Sequence, residues 1–147
     1  MAEAVAERFI RPISIVRHPI YNIFLPVPVV CFIGAALTDW TYLDSGGTRF
    51  WSNFSSWLLA AGLVFAAIAG IVLLIDLLRG AAANHVLGWA TFGLLLAAWV
   101  VEFVNSLVHA RDGWTAVAGP GLILSVIGAL LIVIAGWLSR DALESVR

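Results

Sequence analysis

Four runs of apolar residues, each about as long as a bilayer core requires, dominate this chain of 147 residues. They cover residues 20–40, 57–78, 85–108 and 116–138. A segment of that length and character buries its surface in lipid, where the backbone must satisfy its own polar groups, and an open strand cannot do so. Each run is therefore expected to be a membrane-crossing helix. The charge inventory agrees: 62% of residues are hydrophobic and only 12% are charged, about half the charged fraction of a soluble domain. So little charge cannot coat a globule this small, whose surface is large for its volume. The connections are short, which makes neighbouring helices antiparallel. The expected fold class is all-α: a polytopic, antiparallel four-helix transmembrane bundle over residues 20–138. An interfacial N-terminal segment (1–19) precedes it and a tail (139–147) follows.

The arginines set an expected orientation. An even number of spans puts both termini on one side, with Arg8, Arg11, Arg17, Arg79, Arg140 and Arg147, against Arg49 and Arg111 on the other. The positive-inside rule then makes both termini cytoplasmic in a bacterial inner membrane. Tryptophans fit this depth scale, with Trp40, Trp51, Trp57 and Trp114 at the outer interface and Trp89 and Trp137 towards the inner one. The first eleven residues carry two acids and lack the apolar centre of a secretory signal. All eight basic residues are arginine and no basic face forms, which argues against a nucleic-acid partner. The partner expected first is the lipid bilayer.

In the second span Gly62, Ala66 and Gly70 recur every four residues, a ridge that lets another helix come close. Gly128 and Gly136 are candidate counterparts in the fourth. The ridge serves either packing within the chain or contact with a membrane partner or second copy. Cys31, the only cysteine, reads as an inert packed thiol.

Ionisable groups within spans are functional candidates by default, because lipid makes them costly. They fall in two layers. The inner one holds His18 at the mouth of the first span, Asp76 near the end of the second and His85 at the start of the third. Two imidazoles at one depth are a candidate ligand pair for a b-type haem or a metal ion, with Asp76 orienting a ring N–H. His85, Trp89, Phe92, Leu96, Trp99 and Phe103 lie within about 40° of one direction on a helical wheel. Such a stripe, Trp89 and Phe92 first, would wall a flat cofactor; equally it is ordinary core or lipid-facing surface. His85 would otherwise simply start its helix. Pro19 suits a first helical turn, whereas Pro26 should interrupt the first span and free a carbonyl near Asn22. That bend would carry His18 towards Asp76 and His85.

The outer layer holds Asp39, Glu102 and His109, the last two seven residues apart on one face with Ser106 nearby. Glu102 is the deepest acid. It is expected to stay protonated, to pair with Arg49 or Arg111, or to serve a proton or quinol site. Phosphate-binding loops, nucleophile elbows and the His-Glu-x-x-His zinc motif are absent, as are inverted halves with broken helices.

The order of landmarks resembles a family of bacterial four-helix membrane proteins of unknown function. These are His18-Pro19 with Pro26 and Pro28 in the first span, Asp39 at its end, Leu74-Ile75-Asp76 closing the second, His85 opening the third and Gly136-Trp137-Leu138 closing the fourth. Family members open with His-Pro-x-His-Pro; here Tyr21-Asn22 stands where the second histidine would be, and a later family histidine has no counterpart. The resemblance implies that only His18 and His85 carry over as ligands. Fusion of relatives to Rieske or cytochrome c modules implies a redox setting.

Three functional readings follow. The first is a non-catalytic accessory or scaffold subunit of a membrane complex, one of electron transfer if the setting that the fusions imply holds. The second is a redox protein binding haem b or a metal through His18 and His85. The third is proton or small-solute transport through Glu102 and His109.

Overall fold

The computed structural model describes residues 19–80, 85–111 and 117–144. The described chain is helical apart from its turns. The first span comes in two pieces, α1 (Pro19–Phe24) and α2 (Pro26–Asp44), followed by α3 (Arg49–Leu78), α4 (His85–His109) and α5 (Leu122–Glu144). A π-helical turn, Val117–Gly121, leads into α5 and contains Pro120. Four stretches are long and apolar enough to cross a membrane: Tyr21–Asp44, Arg49–Leu78, Val86–His109 and Val117–Ser139. Each helix packs on the next, and α5 closes the ring against α2.

The first span breaks at Leu25. Leu25 still donates its N–H to the Tyr21 carbonyl at 2.9 Å, but Pro26 has no N–H to offer Asn22 four residues back. The α1 piece packs mainly on α3, while α2 contacts both α3 and α5. At the other end of the bundle the chain reverses through Ser45–Thr48. Gly46 and Gly47 take φ of 70° and 88°, a region open to glycine at no steric cost, and Gly47 caps α2 by donating to the Tyr42 carbonyl at 2.9 Å.

Helix α3 begins at Arg49, well before the apolar run at residue 57. Residues 49–56 read as polar loop because Arg49, Ser52, Asn53, Ser55 and Ser56 dilute the hydropathy. They form helix because Ser52 and Ser55 turn inward and are buried, while Phe50, Phe54 and Trp57 stay outside. With Trp40, these rings form a collar of the kind found at membrane interfaces. Trp89 and Trp137 are exposed towards the opposite end.

Small residues let the backbones approach. Ala35, Ala66, Ala69, Ala98 and Ala135 are buried to 1% exposure or less, between Phe32, Leu59, Leu95 and Ile132. The ridge on α3 is consumed inside the chain. A Cβ on Gly62 would stand 2.7 Å from Cδ1 of the buried Phe32 ring and 3.1 Å from Cβ of Cys31, and Gly70 faces Leu95. Gly128 and Gly136 do not meet that ridge: Gly128 lies against Glu102 of α4 and Gly136 nearest Val29 of α2. Trp99 ties α4 to α3 by donating its indole N–H to the Leu63 carbonyl at 3.0 Å.

Gly62→Ala should destabilise the bundle by about 1–3 kcal/mol, the range for overpacking a filled core. Gly93→Ala, where a Cβ would meet nothing within 4 Å, is the control. Reversible unfolding in detergent micelles measures both.

Candidate functional site: a buried polar cluster

Near the end of the bundle bearing the Ser45–Thr48 turn, side chains from all four spans meet in one hydrogen-bonded cluster. Each comes from the inward face of its helix. Asp39 of α2 follows the buried series Phe32, Ala35, Thr38. Ser55 of α3 lies one turn before Leu59 on the same buried line. On α4, Ala98, Glu102, Asn105 and His109 follow the i, i+4, i+7, i+11 pattern of one helical face. Ser125 of α5 precedes Gly128, Ala129 and Ile132 on that helix's buried side.

Asp39 is the hub. The His109 Nε2–H donates to Asp39 Oδ1 at 2.9 Å, and the side chains are 1% and 0% exposed. The Ser125 hydroxyl donates to Oδ2 at 2.5 Å. The Asn105 amide nitrogen uses both hydrogens, one to Ser125 Oγ at 2.7 Å and one to Glu102 Oε2 at 2.9 Å. His109 Nδ1 faces the Asn105 carbonyl at 3.0 Å, and Ser55 Oγ lies 3.4 Å from His109 Nε2. Both ring nitrogens thus face oxygens, and both contacts are satisfied in two ways: by a doubly protonated ring beside an Asp39 carboxylate, or by a neutral ring that donates from Nδ1 and accepts at Nε2 from a protonated Asp39. In the first form the two make a buried ion pair, with the second Asp39 oxygen met by the Ser125 hydroxyl.

Glu102 sits at the inner limit of the cluster and is wholly buried. Its Oε1 lies against Gly128, where a Cβ would come within 2.6 Å of Glu102 Cγ and closer still to the carboxyl group. Glycine at 128 therefore makes the room that Glu102 occupies. Glu102 Oε1 and Asn105 Oδ1 have no hydrogen-bond partner.

The outer-layer residues expected from sequence, Asp39, Glu102 and His109, come together. Ser106 does not join them: its hydroxyl donates to the Phe103 carbonyl of its own helix at 2.7 Å. Glu102 bonds Asn105 and not Arg111, which is exposed at the chain turn. Asn105, Ser125 and Ser55 escaped the sequence reading, and Gly128 entered it only as a counterpart of the α3 ridge. A usable signal existed in Asn105, three residues from Glu102 and four from His109.

Of the inner layer, His18 lies outside the described residues, and the described part of His85 is its backbone, which opens α4. Asp76 is buried near the end of α3. The aromatic stripe straddles the bundle boundary. Trp89, Leu96 and Phe103 are exposed on the lipid side, whereas Phe92 and Trp99 pack against the core. Trp89 meets Phe92 edge-on at 5.9 Å. Among the described residues no three His, Cys, Asp or Glu side chains gather as a metal site.

Fold and cluster define a polytopic helical membrane protein built around an internal polar site. Residues 17–142 match the family described as "Predicted membrane protein (DUF2231)", and the chain belongs to it. Comparison with curated proteins and with solved structures gave no match.

Truncating one member of a buried ion pair strands the other, at a cost of about 3–5 kcal/mol. Asp39→Leu and His109→Leu should each lose that much stability. The double variant should lose clearly less than their sum, since neither charge is then left alone. Unfolding free energies of the three variants in one detergent check it.

Proposed function

We propose that this chain is a non-catalytic membrane protein that binds and releases protons in one half of its bundle, with the Asp39–His109 pair as the exchanging site. The carrying observation is the pair of acceptors facing the two ring nitrogens of His109, at 2.9 and 3.0 Å. Removing one proton from the His109–Asp39 pair leaves Nε2 and Oδ1 as two facing acceptors with no hydrogen between them, so the cluster's geometry answers to proton occupancy. By the arginine distribution the site lies in the outer half of a bacterial inner membrane, with both termini cytoplasmic.

The cluster is one-sided. Glu102 lies roughly 20 Å along the bundle from the level of Asp76, counted at the helical rise. Between those levels the buried side chains are apolar, Ala66, Ala69 and Leu73 on α3, Leu95 and Ala98 on α4, and Ile132 on α5, apart from Thr91, whose hydroxyl is turned back onto the Leu87 carbonyl of its own helix. That favours proton binding from one face over conduction through the membrane. It suits an accessory subunit that reads pH or holds a proton for a membrane complex.

Nitrogen NMR of the histidine ring in lipid nanodiscs tests this. His109, assigned by comparison with His109→Gln, should show two ring N–H groups that exchange between bound and released states across about pH 5–8, the range in which histidine serves as a switch. Asp39→Asn should abolish the doubly protonated signature at neutral pH. A ring that stays singly protonated throughout overturns the proposal.

A further inference from the structure

We propose that Glu102 is a second proton-binding site, and that the Asn105 carboxamide couples it to the Asp39–His109 pair through its hydrogen bonds, without passing a proton between them. The coupling rests on the preceding reading of Asp39–His109, whereas the Glu102 site stands on its own geometry.

The need for a proton follows from the surroundings of Glu102. The charged groups facing it are Asp39 from α2, which is of like sign, and His109 of its own helix, already bound to Asp39. From α5 it meets Gly128, with Ser125 reached through Asn105. From α3 the cluster receives only the Ser55 hydroxyl. The chain has no lysine, and among the described residues no arginine is ion-paired to Glu102. A bare carboxylate so enclosed is costly in a bilayer, and a proton removes the charge.

The hydrogen-bond directions determine what that proton does. Asn105 presents N–H groups to both Glu102 Oε2 and Ser125 Oγ. Oε2 already accepts from that amide, whereas Oε1 is buried without a partner, so a proton arriving from water takes Oε1 and the Asn105 bond to Oε2 stays. Losing its charge makes Oε2 a weaker acceptor, so the polarisation of the amide, and of the Ser125 hydroxyl beyond it, changes along the chain of bonds. Loading Glu102 thereby alters the hydrogen bonding of Asp39, and with it the hold on the proton shared with His109. A carboxamide does not itself give up a proton, so the link is one of hydrogen-bond strength. Proton exchange at Glu102 instead requires water to reach the α4–α5 seam.

Infrared spectroscopy in nanodiscs tests the site. The protein at neutral pH should show a protonated-carboxyl C=O band that shifts in heavy water and vanishes in Glu102→Gln. Absence of a Glu102-dependent band overturns the proposal. The coupling is read from the His109 NMR titration: Glu102→Gln should change the proton affinity of His109 by about tenfold, within the usual span of coupling between sites. The same substitution should have little effect in a Ser125→Ala background, which removes the bridge but leaves Asn105 and Glu102 in place. Asn105→Leu is the second background, should Ser125→Ala not fold. An equal effect of Glu102→Gln with and without the bridge overturns the coupling. A His109 ring that never takes a second proton overturns the earlier reading and the coupling with it, while the carboxyl band still decides Glu102 separately.

Discussion

A carboxylate inside a helical bundle in lipid must find its hydrogen bonds among the neighbouring helices, and Asp39 finds them on two. His109 of α4 supplies one oxygen and Ser125 of α5 the other. Everything near that end of the bundle is arranged to permit these contacts. α2 must turn Asp39 inward, α4 must place His109 above it, and α5 must come close enough for a serine to reach. Charge-assisted hydrogen bonds are shorter and stronger than neutral ones, so one residue pins three helices at one depth. Ser55 brings in the fourth.

Close approach of the backbones is the complementary condition. Alanines on the inner faces bring the helices together in mid-bundle, and at two points glycine alone suffices, Gly62 under Phe32 and Gly128 under Glu102. The two serve different ends. At Gly62 the space is filled by an aromatic ring and the gain is apolar packing. At Gly128 it is filled by a carboxyl group, so van der Waals packing there fixes the position of an acid. The polar site and the apolar core are thus one construction: the same helix spacing that excludes lipid also sets the distances within the cluster.

The spans were legible in the sequence because hydropathy reports directly on burial in lipid, and all four apolar runs became helices. The start of α3 was not, since inward-turned serines and an interfacial arginine lower the hydropathy of a segment that is nevertheless helical. For the site, depth could be read and partnership could not. Asp39, Glu102 and His109 stood out as ionisable residues in apolar runs, and their levels along the chain agreed. Which neighbours they would meet depends on how each helix is rotated, and that is set by packing between helices. Hence Ser106 was favoured over Asn105, though only one residue separates them: a rotation of about 100° decides which points inward. Ser125 gave no signal alone and Gly128 signalled only helix packing, because serine and glycine are ordinary in membrane helices.

The interruption at Leu25 has a mechanical consequence. It divides the first span into two rods with different attachments, α1 chiefly on α3 and α2 on both α3 and α5. Asp39 belongs to the second rod, fourteen residues beyond the break. The hydrogen bond missing at Pro26 makes the break a joint between the two rods. The polar cluster therefore hangs on the rod beyond the joint, and its side chains come from α2, α3, α4 and α5 with none from α1.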